Sequence, residues 1–289
     1  MPFGVPSPPA KRRTHPAVAG FDRAAGAYER GRPEYPADAV RSLARSLGLG
    51  PRRTVVELAS GTGKFTRALT RTGAAIVPIE PTRGMRIEFA RQLPDLPAID
   101  GIAEAIPLPD AFADAVVVAQ AFHWFRPRRA LREIHRVLRP GGGLGLVWNH
   151  RDESVPWVRA LTDIIDRYGW NVPRTRQVRW RRVFERGGVG FAPLRRRSFR
   201  FVQRLDRSTI VDRFLSVSCI ALLPPSEQRR VARKIREVIA RDPATRGRAR
   251  IDLPYRTDVY WTRARASQPG APRRRPRRAT EQHPGTSER

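Results

Sequence analysis

The sequence predicts an α/β fold, a doubly wound and mainly parallel sheet with a mostly helical insert before its closing strand. Three observations carry that expectation. Apolar β-branched runs alternate with amphipathic stretches between Thr54 and Trp148. The first run, Thr54 to Ala59, ends in a glycine loop that opens a helical pattern. After Asp114, Ala115 to Ala119 is an unbroken apolar run with three valines, as a strand covered on both faces requires.

The elements follow in order. After the Gly61-Thr62-Gly63 loop, Phe65 and Leu69 fall at helical spacing, and Gly73 supplies a stop. Ala75 to Glu80 reads as a second strand, with Pro78 limiting how it can pair. A helix pattern runs from Arg83 to Leu93, and Ala98 to Gly101 reads as a short third strand. Asp114 to Ala119 is the fourth strand. The amphipathic stretch Ala130 to Leu138 ends at Arg139-Pro140-Gly141-Gly142-Gly143 and returns through Leu144 to Trp148. Helices are expected around residues 155–168, 208–215 and 226–240, and Leu253 to Tyr260 reads as the closing strand.

Composition sets the boundaries. Residues 1–19 hold five prolines and the run Lys11-Arg12-Arg13, and are expected to be a disordered basic arm. Residues 265–289 are expected to be a disordered Arg/Pro-rich tail. Between them, residues 20–264 form the domain, split into 20–150 and the insert with closing strand, 151–264. No apolar run reaches the roughly 18 residues of a membrane span, and the N-terminus lacks the apolar stretch of a secretory signal. The single cysteine, Cys219, precludes an internal disulfide and a cysteine-based metal cluster. A soluble, cytoplasmic protein without a metal site is expected.

The net charge is +29, and only Lys11, Lys64 and Lys234 among the 56 basic residues are lysines. An arginine excess of this size accompanies GC-rich codon usage, yet it also suits nucleic acid or acidic small molecules as partners. Ten arginines stand between Arg174 and Arg200, with Glu185 as the one acid opposing them, and Trp157, Tyr168, Trp170 and Trp180 lie in the same insert. Aromatics interleaved with arginines can stack bases or hold a carboxylated small molecule, whereas tryptophans at helical spacing more often belong to a core.

The glycine loop separates three kinds of binder by spacing. Lys64 is followed by Phe65, so the hydroxyl that a P-loop places on magnesium is missing. Gly61 and Gly63 fit a dinucleotide fingerprint, but Thr66 stands at its third glycine. What remains is an acid on strand one, Glu57, and another closing strand two, Glu80, 19 residues after Gly61. A carboxylate can accept from both vicinal hydroxyls of a ribose, which suits adenosine cofactors generally.

The segment Glu57-Leu58-Ala59-Ser60-Gly61-Thr62-Gly63-Lys64 resembles motif I of class I S-adenosylmethionine-dependent methyltransferases, whose fold is Rossmann-like. Ile79-Glu80-Pro81 resembles motif II, and residues 101–108, 120–125 and 138–142 follow at the corresponding places. Tyr28 to Pro36 and Leu253 to Tyr260 extend the resemblance to type 11 methyltransferases, in particular those similar to trans-aconitate methyltransferase. Two positions depart from the usual pattern, Ala59 for glycine and Thr82 for the acid after motif II. The resemblance implies S-adenosyl-L-methionine as cofactor, with Gly61 and Gly63 near its methionine part and Glu57 on its amino group. It further implies Glu80 on the ribose, Ala103 and Glu104 at the adenine, Ala59 and Gln120 along the pocket, and Tyr28 and Arg32 in a lid.

His123 is the histidine in a motif position, where the transferred methyl is expected. It can deprotonate a hydroxyl acceptor, donate a hydrogen bond to a carboxylate, or serve as pocket wall. The expected partner is a small-molecule acceptor, neutral or anionic, with no membrane involved. The alternatives are an RNA methyltransferase or an RNA-binding protein with a vestigial cofactor site. Against these, an Asn-Pro-Pro-Tyr-type tetrapeptide is missing after strand four.

Overall fold

The computed structural model describes residues 25–26, 28–168 and 180–265. Both arms, Trp170 and the arginines from Arg174 to Arg179 lie outside the described residues. The order of elements is α1 (Ala37–Leu47), β1 (Thr54–Leu58), α2 (Lys64–Thr70), β2 (Ala75–Ile79), α3 (Arg83–Gln92), β3 (Ala113–Ala119), α4 (Pro127–Val137) and β4 (Leu138–Arg151). The insert adds α5 (Pro156–Asp166), a 3₁₀ segment (Trp180–Gly190), β5 (Arg195–Asp206), α6 (Arg207–Leu215), α7 (Ser218–Ala221) and α8 (Pro225–Arg241). It closes with β6 (Arg250–Arg263).

Six strands form one sheet in the order β2-β1-β3-β4-β6-β5. β1 pairs in parallel with β2 and β3, and β3 with β4, while β6 runs antiparallel between β4 and β5. Alternating side chains therefore reach opposite faces. Val55, Val117 and Val147 pack with α1 and α2 through Leu43, Leu47, Phe65 and Leu69. Val56, Val116, Val118 and Leu146 face α4 and the 3₁₀ segment through Leu131, Ile134, Trp180 and Phe184. The continuous valines of β3 are thus buried on both sides, as the sequence predicts. A separate core joins α5, α6 and α8 to β6 through Trp157, Leu161, Phe214, Ile235 and Tyr255.

One expectation needs correction. The third strand at residues 98–101 is reduced to one bridge, Ile79 to Ile99. Ile99 N–H donates to Pro78 and Glu80 N–H donates to Ile99, but Pro97 has no donor to extend the ladder. Pro78 is tolerated in β2 because its nitrogen faces this outer edge, on the same side as its carbonyl. The insert is mostly helical, as expected, but it also contributes a 12-residue strand, β5, which takes in Arg195 to Arg200 from the end of the arginine-rich stretch. Phe199, Phe201 and Leu205 point inward on alternate positions, and Arg197, Arg200 and Arg204 are exposed. A charged edge strand resists pairing with another chain. Among the described residues, no helix is long and apolar enough to cross a membrane.

Candidate active site

The strand order reverses between β1 and β3, because the chain leaves β1 toward β2 and later returns on its other side. Crevices at such switch points, outside the carboxyl ends of the strands, bind ligands in open α/β sheets. Ala59 after β1 and Gln120 after β3 lie there, and both take left-handed backbone angles, with φ of 54° and 60°. That conformation costs a non-glycine residue on the order of 1 kcal/mol and clusters at functional sites.

Glu57 sits in β1 with 1% of its surface exposed and accepts a 2.6 Å hydrogen bond from the Thr66 hydroxyl. Burial, aided by the charge of Glu80 and opposed by Thr66, pushes its carboxyl up to about 8. Burial of this kind favours the neutral carboxyl unless a positive charge comes close. Thr66, which displaces the third glycine of a dinucleotide fingerprint, therefore has a defined task. Glu80 is buried as well. Its two oxygens accept from Gly61 N–H at 2.9 Å and Thr82 N–H at 2.8 Å, tying motif II to the glycine loop. Burial raises its carboxyl, while those two N–H groups, the Thr82 side chain and Arg86 oppose the rise.

The loop has the features an adenosine cofactor needs. Of the four lone pairs of the Glu80 carboxylate, the Gly61 and Thr82 N–H groups and the Thr82 side chain use three, which leaves one for a ligand. The Ser60 hydroxyl is buried without a partner, and a Cβ at Gly61 would meet open space. Gly63 differs: its φ is 88°, and a Cβ there would come within 2.9 Å of Leu93 and 3.1 Å of Phe89. It is required by packing and by the turn that starts α2.

The N-terminal segment crosses this loop. Glu29 accepts from the Thr62 hydroxyl and pairs with Lys64 at 3.2 Å and Arg67 at 2.7 Å; Glu34 also pairs with both. Lys64, which cannot serve as a P-loop lysine, is a clamp for this segment. Arg32 lies over the Tyr28 ring at 4.8 Å and donates to the Ser216 carbonyl at 3.4 Å. Tyr35 packs edge-on against Phe65, and burial, with the nearby Tyr28 and Glu57, raises its hydroxyl well above the ordinary range. Glu29, Lys64, Thr66, Arg67 and Tyr35 were not singled out as functional from sequence; their pairings span too many residues for any local spacing to show.

His123 stands in a 3₁₀ turn after β3, beside the Trp124 ring. Its Nδ1 accepts from the Trp148 indole N–H at 3.3 Å, so in the neutral ring the proton sits on Nε2. Burial, followed by the charges of His150 and Arg32, pulls its pKa down to about 3. Ala103 is buried in the core, and the Glu104 carboxylate accepts from the Arg126 backbone N–H at 2.7 Å, at the entry to α4. The structure thus brings Glu57, Ala59, Gly61, Gly63, Glu80, Gln120 and His123 to one end of the sheet, under the segment carrying Tyr28 and Arg32. Among the described residues, no group of three or more His, Cys, Asp or Glu side chains could hold a metal ion.

Two tryptophans of the insert, Trp157 and Trp180, are not free to stack bases. Trp157 and Trp180 are 4% and 2% exposed, and Trp180 stacks on Trp148 at 4.5 Å.

Fold and site together define a class I methyltransferase architecture, and comparison with known proteins agrees. A methyltransferase domain family matches residues 56–146. An uncharacterized methyltransferase of Mycobacterium tuberculosis is 39% identical over 237 residues, covering 82% of this chain and 92% of that protein. An uncharacterized methyltransferase-like protein of Schizosaccharomyces pombe is 35% identical, covering 81% and 91%. The chain belongs to the methyltransferase family. A solved structure from Anaeromyxobacter dehalogenans shares the fold, with a TM-score of 0.57 at 20% identity over 81% of this chain and 97% of that one. The chain is a methyltransferase enzyme with a Rossmann-like fold.

Proposed function

We propose that the protein transfers a methyl group from S-adenosyl-L-methionine to a small-molecule acceptor, neutral or anionic, through a carboxylate or hydroxyl oxygen. The observation that carries this reading is the buried Glu80 carboxylate, held against the Gly61 N–H with acceptor capacity to spare. When bound, the cofactor supplies an electrophilic methyl on a positively charged sulfur. Glu57 takes the amino group, ionising as it does so. Glu80 takes the ribose hydroxyls, and Ser60, Gly61 and Gly63 line the methionine part. Ala59 and Gln120 bound the pocket, Ala103 and Glu104 face the adenine, and Tyr28 and Arg32 belong to the covering lid.

His123 orients the acceptor rather than deprotonating it. Its Nε2 carries a proton to donate, and a ring held near pKa 3 is a weak base at neutral pH. Displacement at a methyl group depends chiefly on alignment and on electrostatics fixed in advance, which these side chains supply. A carboxylate acceptor needs no base, consistent with the finer resemblance of the motifs to trans-aconitate methyltransferase. The lone cysteine supports a reducing cytoplasmic setting. We assign residues 20–264 to the methyltransferase unit, with 151–264 forming the acceptor side. Screening metabolite extracts with methyl-labelled cofactor, fractionated by charge, tests this; label retained on an anion exchanger supports it, and label only in amines refutes it. Labelling of RNA alone would replace it with the nucleic-acid alternative.

A further inference from the structure

Three arginines outside the cofactor loop have no carboxylate partner among the described residues. Arg151 ends β4, Arg213 lies in α6, and Arg32 comes from the N-terminal segment. They converge. Arg151 and Arg213 both lie against the Phe214 ring, at 5.1 and 5.9 Å, and Tyr255 is the partner of Arg151 across the β4–β6 ladder. Arg213 Nε donates to the Tyr255 hydroxyl at 2.8 Å. A Cβ at Gly31 would come within 2.7 Å of the Arg213 Cα, so the segment carrying Arg32 packs directly on Arg213.

Among the described residues, the hydrogen bonds these side chains make go to neutral groups. Arg32 reaches the Ser216 carbonyl, Arg151 the Thr162 hydroxyl and Arg213 the Tyr255 hydroxyl. Arg32 Nε and Arg213 Nη1 are buried with no hydrogen-bond partner among the described residues. None of the three forms an ion pair with a carboxylate among the described residues; Asp166 acts on Arg151 only from a distance. Burial, then the charge of Arg213, pulls Arg151 down to about 9 and Arg32 to about 10. Enclosed like charges with idle donors are unfavourable unless an anion joins them.

We propose that Arg151 and Arg213, with Arg32 beside them, form a subsite that holds a carboxylate of the methyl acceptor. The proposal rests on the methyltransferase reading above. Position argues for the acceptor rather than the cofactor's own carboxylate as the ligand. β4 lies two strands from β1, about 10 Å across at normal strand spacing, Arg151 stands four residues beyond its last pairing with β3, Ala119 to Val147, and Arg213 belongs to the insert. Arg32 also reaches the other way, since its charge is felt at His123. The trio therefore lies on the acceptor side of the histidine. A guanidinium fork grips a carboxylate through two parallel hydrogen bonds, which Arg213 Nη1 is free to join.

The test uses the full-length protein saturated with S-adenosylhomocysteine, with succinate as the probe, succinamide as its neutral match and inorganic phosphate as a second anion. Succinate is expected to raise the melting temperature, and succinamide is not. In Arg151→Met, which keeps the apolar stem, succinate affinity should fall at least tenfold, with S-adenosylhomocysteine affinity within threefold of the parent. The ligand-free melting temperature of that variant should stay level or rise, because a repelling charge has gone; Arg213→Met should behave alike. A structural role for the arginines predicts the reverse, a lower melting temperature with no change in anion response. Loss of S-adenosylhomocysteine affinity with succinate binding intact would hand the arginines to the cofactor and overturn the proposal. So would absence of a succinate response in the parent, or a response to phosphate alone. Failure of the methyltransferase reading looks different: the parent would bind no S-adenosylhomocysteine, whatever its response to succinate.

Discussion

Replacing Glu80 by glutamine keeps the volume of the side chain and removes its charge and one of its two acceptors. In the native protein both oxygens accept from buried backbone donors, Gly61 N–H and Thr82 N–H. The amide –NH₂ of glutamine must face one of those donors, leaving it unsatisfied at a position where only 4% of the residue is exposed. An unpaired buried donor costs about 1–3 kcal/mol, or roughly 2–12 °C in melting temperature for a domain of this size. Cofactor binding suffers separately. A charge-assisted hydrogen bond to a ribose hydroxyl contributes about 1.5–3 kcal/mol, so affinity should fall roughly 10- to 150-fold. Calorimetric titration with S-adenosylhomocysteine at 25 °C, beside a circular dichroism melt, reads both quantities. A folded Glu80→Gln protein with parental affinity would refute the assignment of Glu80 to the ribose. Glu80→Ala is a poorer test, since it strips both buried donors at once.

Three further outcomes follow from the same geometry. The Glu57 carboxyl titrates near 8 in the folded protein against 4.5 as its ordinary value, so its stabilising contribution is complete below pH 4.5 and is lost as pH rises through 8. The slope is at most about 1.4 kcal/mol per pH unit; Glu57→Gln should flatten the melting profile between pH 5 and 8, and an unchanged slope would contradict this. Gly63→Ala should destabilise the fold by about 1–3 kcal/mol in urea titration, given its φ of 88° and the contact with Leu93; an unchanged midpoint would show that the loop relaxes freely. His123→Ala should slow transfer to a carboxylate acceptor less than tenfold, whereas a loss of roughly 10²–10⁴ would restore the histidine as general base.

The first half of the chain is legible in sequence because its signals are local. Strand, glycine loop and helix between Thr54 and Thr70 follow from a β-branched run and two glycines, and Glu80 follows from its distance to Gly61. The insert is harder. β5 carries its period of two in Phe199, Phe201 and Leu205, yet the arginines between them read as a binding stretch until β6 is seen beside them. The short third strand fails for a different reason, since whether a four-residue run becomes a ladder depends on a neighbour that only tertiary structure provides. Tertiary contact also decides the arginines. Arg136 bonds two backbone carbonyls, Asp110 and Glu133, and Arg196 pairs with Asp258, whereas Arg151 and Arg213 pair with no acid among the described residues. Charge counting sees these as equivalent; burial and partners separate them.

Equilibrium dialysis of the intact protein against methyl-labelled S-adenosylmethionine tests the central claim most directly. One molecule should bind per chain, be displaced by S-adenosylhomocysteine, and be retained far less by Glu80→Gln. No retained label at millimolar cofactor, with the protein shown to be folded, would contradict it.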